Sequence, residues 1–355
     1  MQVFRHLFEQ ITSKETLFTA WQEFRKGKQG RKDVQEFERK LEQNLFRLHR
    51  ALIAGTYRHQ SYSAFTICDP KQQRIHKASV QDRILHHAVF SVLNPIFEPT
   101  FIAHSFSCRK GKGTHRAVDA LDQMLRSVSR NATRTCFVLK CDVHRFFASV
   151  GHAILLDLLG KKIKDDRAMQ LLAEVVGSFS AEESGKGIPI GNLTSQLFAN
   201  VYLNELDRFI KHTLGIKSYV RYTDDFVIVS HDGGFLRDLL PPIRHFLESQ
   251  LRLALHPRKV AVRKYRQGID FLGCVLLPHH RILRTKTKRR MFRKMQERLD
   301  CLHRGVTSEQ SVEHSLQSYL GVLSHVDAFR LGQELRNHCW FSAEFEPFAF
   351  SCQPR

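Results

Sequence analysis

Apolar residues recur at helical spacing through the first 55 positions, with Phe37, Leu41, Leu45, Leu48 and Leu52 on one face, charges between them and Gly55 as a stop. The segment reads as an amphipathic helical extension. Over 57–82 the alternation shortens to that of strands, and 83–94 returns to a compact apolar helix that Pro95 is expected to close. A basic, glycine-bearing loop at 105–116 leads into a helix near Ala117. A β-rich run at 136–142, helices near 152–178, a loop at 185–191 and an apolar helix over 192–210 follow. Next come a hairpin in the 220s, a helix after Pro242, the 251–259 segment and one short strand at 269–276. Beyond Pro278 the chain turns helical and basic, with no internal repeat or low-complexity linker.

Two of the β-rich runs end in acids. In Val220-Arg-Tyr-Thr-Asp-Asp-Phe-Val-Ile-Val-Ser230, Asp224 and Asp225 stand between an aromatic residue and a run of β-formers, the pattern of a tight hairpin with acids at its tip. Asp-Asp after Tyr-Thr is also ordinary turn chemistry. The apolar run that follows directly argues for more, because charge at the end of a buried element costs several kcal/mol unless a metal or partner compensates it. Cys136-Phe-Val-Leu-Lys-Cys-Asp142 ends the same way, about 80 residues upstream. Two such carboxylate clusters, converging on a pair of Mg²⁺ ions, would form the clamp used for in-line displacement at phosphorus. The chemistry suggested is nucleotidyl transfer.

Composition narrows the partners. The 355 residues are 42% apolar, enough for a well-buried core, and carry 55 Lys and Arg against 35 Asp and Glu, a net charge of +20. A field of that sign attracts polyanions and is far from the neutral balance of a metabolic enzyme. Eight cysteines form no Cys-x-x-Cys pair and no zinc spacing with the 20 histidines, so reduced thiols are expected. Neither a signal peptide nor an 18-residue apolar stretch is visible, which predicts an intracellular protein with no membrane partner. The stretch 281–304 holds ten Lys or Arg against two acids. Most such runs are solvated helix faces; beside Leu299, Leu302 and the apolar positions of 318–321, this one also reads as a helix that tracks a nucleic-acid backbone.

In this order the segments resemble the fingers, palm and thumb of a reverse transcriptase over roughly residues 40–335. The run from Arg74 through Asp82 and Arg83 resembles the first fingers motif of retron, intron and related bacterial enzymes, 105–114 the second, 136–150 the third and 187–204 the fourth. Tyr222-Thr-Asp-Asp matches the Tyr-x-Asp-Asp box, 251–259 the sixth motif and 268–273 the seventh. Where intron-type and retroviral enzymes usually carry Gln-Gly followed by Ser-Pro, this chain has Ile190-Gly191-Asn-Leu-Thr-Ser195-Gln196. That run, with Cys108-Arg-Lys-Gly-Lys-Gly-Thr-His115, resembles the enzymes of diversity-generating retroelements.

The resemblance implies an α/β (α+β) right-hand polymerase. Its parts are a helical N-terminal extension (1–55), fingers (56–135), a palm with a small antiparallel sheet flanked by helices (136–278, with a helical insertion at about 152–186) and a short basic helical thumb with a C-terminal tail (279–355). Asp142 and Asp224 would bind two Mg²⁺ ions, with Mn²⁺ able to substitute, Asp225 would be a weaker ligand, and Val143 joins the metal and nucleotide set. Phe147 would pack on the sugar of the incoming nucleotide and exclude a 2′-hydroxyl, whereas Phe146 reads as core. Arg109, with Lys110 and Lys112, would grip the triphosphate, and Arg74 is a second candidate. Gly191, Gln196 and Tyr222 complete the dNTP set, and Lys259 would protonate departing pyrophosphate.

Ile190 either grips the nucleotide without the polar contact of a Gln, lowering fidelity, or simply packs against Gln196 and the palm helix. Arg284, Lys286, Lys288, Arg289, Arg290, Arg293 and Lys294 would line the nucleic-acid path. The family context implies template RNA, a DNA or RNA primer, dNTPs and a small basic oligomeric accessory protein, in the cytoplasm of a bacterium or encoded by a phage, and cDNA mutagenised at adenines. Three alternatives stay open: an intron-like, retron-like, defence-associated or template-independent enzyme; an inactive nucleic-acid-binding protein with a polymerase fold; and an RNA-directed RNA polymerase, which Phe147 disfavours.

Overall fold

A computed structural model describes residues 2–69 and 72–342, the side chains of 341 and 342 excepted; residues 343–355 of the expected tail lie outside the described residues. Helices and small antiparallel sheets are mixed throughout. The strands are β1 (Ser63–Ile67), β2 (Gln73–Lys77), β3 (Phe137–Asp142), β4 (Tyr219–Tyr222), β5 (Asp225–Ser230), β6 (Ala261–Lys264), β7 (Ile269–Phe271), β8 (Cys274–Leu276) and β9 (Arg281–Leu283). They form sheets of order β1-β2, β4-β5-β3-β6 and β7-β8-β9. Among the described residues the chain packs as two compact units, one within residues 1–117 and 139–262, the other within 118–138 and 263–342.

In the first unit, the segment expected as a helical extension consists of four helices, Leu7–Thr12, Lys14–Arg25, Lys32–Glu38 and Leu41–Ile53. The breaks have local causes: Ser13 caps the second helix by accepting from the Thr16 N–H, and Gly27 takes a left-handed φ of 67° that ends it. Leu45, Leu48 and Leu52 are buried as their spacing predicts, while Phe37 and Leu41 are only half-buried. The next helix runs from Val80 to Phe97 and passes through Pro95 instead of stopping before it. Pro95 sits in the last turn, where its missing N–H forfeits a single bond. Ser79 starts that helix by accepting from the Asp82 N–H while donating to the Asp82 carboxylate.

The Leu193–Arg208 helix is buried on nearly every side and packs against both Val80–Phe97 and His152–Gly160. β5, which follows it in the chain, has four consecutive fully buried residues, Phe226 to Val229, between half-buried Asp225 and Ser230. A strand apolar on both faces is an interior strand, and β5 lies between β4 and β3. The helix expected after Pro242 begins at Leu240, with prolines in the first turn where their lack of an N–H costs nothing.

In the second unit the single strand expected at 269–276 is a hairpin: β7 and β8 pair antiparallel around Leu272 and Gly273, both at positive φ. β9 adds to its edge. The basic helix Thr285–His303 packs with Glu309–Leu323 and Phe329–Ser342 around Met291, Met295, Leu299, Val312, Leu316, Leu323 and Leu335. Arg281 anchors this unit through Asp119 at 2.6 Å and Asp122 at 3.2 Å. Cys68, Cys108, Cys136, Cys141, Cys274, Cys301 and Cys339 are free thiols. No helix among the described residues is long and apolar enough to cross a membrane.

Candidate active site

β4 and β5 pair from Tyr219–Ile228 to Tyr222–Asp225, which leaves Thr223 and Asp224 as the two-residue turn. Thr223 pays for the tightness with a left-handed φ of 52°, and its hydroxyl donates to Ser107 Oγ at 2.6 Å. Beneath it lies a fully buried Arg221. Its guanidinium donates to both oxygens of buried Asp207 (2.7 and 2.6 Å), to the Thr223 carbonyl (3.1 Å) and to Ser105 Oγ (3.0 Å). Tyr219 donates to the same Asp207 at 2.7 Å. The turn is therefore held by a satisfied ionic network, which the sequence reading missed; the signal for it is a charged residue in the middle of an apolar strand.

β3 lies next to β5 in the sheet, and the Val143 N–H donates to the Asp224 carbonyl at 3.1 Å. This pairing brings Asp142, at the end of β3 and 7% exposed, to the tip that carries Asp224 and Asp225. Burial pushes the Asp224 carboxyl up to about 6, with the charges of Asp225 and Asp142 adding to the effect and that of Lys259 opposing it. Asp225 is raised as well, first by burial, against the pull of Lys140, and further by its contact with Asp142. Three carboxyl groups meet in this corner, and burial disfavours the charged form of two of them, Asp224 and Asp225.

Lys259 reaches into it. Its ammonium donates to Asp142 Oδ2 at 2.7 Å, bridging 117 residues of sequence. The resemblance implies a role for Lys259 at the pyrophosphate; in the structure its ammonium lies on the Asp142 carboxylate. Among the described residues no three His, Cys, Asp or Glu side chains already stand in the spacing of a metal cage. The donor set nevertheless fits a hard divalent ion, since all its atoms are carboxylate oxygens and burial disfavours the bare charge of Asp224 and Asp225. Asp142, Asp224 and Asp225 are the residues that would hold it.

The nucleotide-binding expectations divide. Phe146 is core at 1% exposure, and half-buried Phe147 stands edge-on to it, centroids 5.3 Å apart. The Tyr222 hydroxyl accepts from Thr114 Oγ1 at 3.2 Å. Ile190 is half-buried and its carbonyl accepts from the His76 N–H at 3.4 Å, Gly191 is exposed at a φ of 107°, and Gln196 is half-buried. Arg74 lies exposed on β2, and Lys110 is exposed.

Arg109 is engaged within its own loop. Its guanidinium donates to Glu98 at 2.8 Å and to the carbonyls of Ile102 and Ser105 at 2.7 Å, with the side chain only 6% exposed. These bonds tie its own loop together, and a triphosphate would have to compete with them. Lys112 likewise donates to the Ala103 carbonyl at 2.8 Å and lies over the Phe106 ring.

In the second unit Arg284 precedes the basic helix and pairs with Asp270, Lys288 pairs with Glu334 at 3.1 Å, and Arg293 with Glu297 at 3.5 Å. Lys286 and Arg289 are exposed, and Arg290 and Lys294 are half-buried.

Comparison with known proteins agrees with this geometry. The chain is 26% identical over 249 residues to the protein YkfC of Escherichia coli K12, covering 59% of this chain and 63% of that one. It is 26% identical to the group II intron-encoded protein LtrA of Lactococcus lactis subsp. cremoris over 48% of this chain and 28% of the relative. It is 32% identical to an uncharacterized 91 kDa protein in the cob intron of Schizosaccharomyces pombe over 38% of this chain and 16% of the relative. The chain thus spans less than two thirds of the length of these relatives. Residues 67–276, which include both acid-bearing strands and more than half of the sequence, match the model of one family, and the chain belongs to it: reverse transcriptase (RNA-dependent DNA polymerase).

Proposed function

We propose that this protein is an RNA-directed DNA polymerase that copies a template RNA into cDNA. The observation that carries the reading is the meeting of Asp142 with Asp224 and Asp225 across neighbouring strands, in a corner where burial has lifted the Asp224 and Asp225 carboxyl groups. When bound at these three residues, Mg²⁺ would activate the primer 3′-hydroxyl and neutralise charge on the departing pyrophosphate. The Arg221–Asp207 network holds the two hairpin acids in place. Lys259 holds a proton on its ammonium beside Asp142, from where it can pass to an oxygen leaving the same corner. Phe147 sets the space for the sugar, and a ring there selects against a 2′-hydroxyl. Arg74 and Lys110, exposed and basic, are candidates for the triphosphate beside Arg109, which is paired with Glu98. In this reading 1–55 extends the fingers (56–135), 136–278 forms the palm, and the basic helix Thr285–His303 serves as a thumb that follows the duplex backbone.

The finer reading is a diversity-generating retroelement enzyme with lowered fidelity at template adenines, working with a small basic oligomeric accessory protein. Its support is the Ile190-Gly191-Asn-Leu-Thr-Ser195-Gln196 run, in which half-buried Ile190 lacks the amide of a Gln. A second reading, an intron-type enzyme without a mutagenic role, is favoured by the relative named as a group II intron-encoded protein. Sequencing cDNA made on an adenine-containing RNA template separates them. The retroelement reading expects misincorporation concentrated at adenines in the wild type and reduced in Ile190→Gln; uniform fidelity in both proteins supports the intron-type reading.

A further inference from the structure

Phe147 sits in a single turn of helix, Phe146–Ser149, and two sets of contacts fix that turn. The first is with the core. Fully buried Phe146 stands edge-on to the Tyr202 ring, centroids 6.4 Å apart, and Tyr202 is itself fully buried. The Tyr202 hydroxyl accepts from the Gly151 N–H at 3.3 Å and donates to the Leu251 carbonyl at 2.7 Å. With a close-packed neighbour on one side, the reach of the Phe147 ring is decided by the backbone that carries it.

The second set comes from residues 181–188. The Ile188 N–H donates to the Phe147 carbonyl and the Gly187 N–H to the Val150 carbonyl, both at 2.8 Å. His152 binds the same loop twice: its N–H donates to the Gly185 carbonyl at 3.0 Å, and its Nε2 donates to the Gly187 carbonyl at 2.7 Å. The loop is closed on itself by the Ala181 N–H, which donates to the Lys186 carbonyl at 2.9 Å. Gly187 has a φ of 105°, and a Cβ there would lie 2.8 Å from the Ala181 Cβ and 3.1 Å from its nitrogen, an approach that only glycine permits.

Arg145, which precedes the turn at a left-handed φ of 47°, adds a bidentate pair with Glu182 at 3.0 and 2.6 Å. Its side chains are 56% and 70% exposed, so screening leaves this pair weak and the hold lies mainly in the bonds to the backbone. Two residues after Ile188 the chain reaches Ile190. The Ile188–Phe147 bond thus ties together two residues that the polymerase reading puts on the incoming nucleotide. A ring that excludes one hydroxyl does so by its position, and displacements of about 1 Å matter at a reacting centre.

We propose that residues 181–188 are a specificity element: with His152, Gly187 and Glu182 as positioning residues, they set how far the Phe147 ring enters the sugar space and so how strongly ribonucleotides are excluded. This role rests on the polymerase reading above, in which Phe147 meets the sugar.

The test compares addition of a dNTP and the matching rNTP by the full chain on a primed RNA template with Mg²⁺, as the ratio of the two kcat/KM values. His152→Leu removes the side-chain bond to Gly187, and His152→Gln keeps an N–H at similar reach. The wild type is expected to favour the dNTP, His152→Leu to lower the ratio about tenfold through faster rNTP addition, and His152→Gln to restore it. In a Phe147→Ala background His152→Leu is expected to change the ratio no further, because the ring it positions is gone. Glu182→Gln, at an exposed position where folding is not at stake, is expected to lower the ratio by a smaller factor. Amide exchange reads the hold without activity: the Gly187 and Ile188 N–H groups are expected to exchange faster in His152→Leu than in the wild type or His152→Gln. An unchanged ratio in both His152→Leu and Glu182→Gln overturns the proposal, since a purely structural role slows dNTP and rNTP addition together. A fall that persists at full size in the Phe147→Ala background, or unchanged amide exchange, overturns it as well. A wild type that adds no nucleotide contradicts the polymerase reading and with it the sugar role, even where amide exchange shows 181–188 holding the Phe147 turn, so the two failures read differently.

Discussion

Asp224 carries a stability cost that its chemistry explains. Burial raises its carboxyl from an ordinary 3.8 to about 6, so the folded state prefers the neutral form. The stability this contributes is complete below 3.8 and is lost as pH rises through about 6. Asp224→Asn keeps the shape and removes the charge. Without divalent ions, the variant is expected to gain stability over the wild type as pH rises from 4 to 7, on the order of 1–3 kcal/mol at neutral pH. Melting curves at stepped pH measure this; equal curves at all pH values would mean that Asp224 is not desolvated. The cost makes sense at a residue that waits for a cation, since the same burial that penalises the bare charge strengthens its hold on an ion.

At the scale of elements, the β4-β5 hairpin is set by what lies under it. Arg221→Met leaves Asp207 as an uncompensated buried charge, with Tyr219 as its remaining partner. A loss of about 3–5 kcal/mol is expected by chemical denaturation. Asp207→Asn combined with Arg221→Met should recover part of that loss, and a double variant no better than Arg221→Met alone would contradict the ion-pair account. This hairpin was legible in the sequence because both its signals are local: a run of β-formers, and two acids against it. The companion acid Asp142 was legible for the same reason.

What was not legible is long-range pairing. Lys259 meets Asp142 from 117 residues away, and Glu98 captures Arg109 by a fold of the chain that a basic glycine loop does not announce. The N-terminal helices were legible as helical and amphipathic but not as four, because a capping serine and one glycine at positive φ decide the first two of the three breaks. The strand at 269–276 was misread because the Leu272-Gly273 turn is short enough to hide inside an apolar run.

For the whole molecule, charge governs how it meets its partners. A net +20 predicts nucleic-acid affinity that falls linearly in log–log form with salt, each phosphate contact adding about 0.9 to the slope on duplex DNA. Lys286→Gln and Arg289→Gln remove exposed cations from the Thr285–His303 helix. Each is expected to lower the slope by about one while weakening all sequences alike; an unchanged slope would show that this helix does not touch the backbone.

Polymerase activity at the Asp142, Asp224 and Asp225 corner is tested most directly by primer extension with the full chain on an RNA template with dNTPs and Mg²⁺, comparing wild type with Asp224→Asn. The expected result is DNA synthesis by the wild type that stops when the metal is chelated, and a fall of at least about 10³-fold in Asp224→Asn, the scale of losing a group that stabilises the transition state. A wild type that binds the primer–template but adds no nucleotide, or an Asp224→Asn protein that extends it as fast as the wild type, would contradict this assignment.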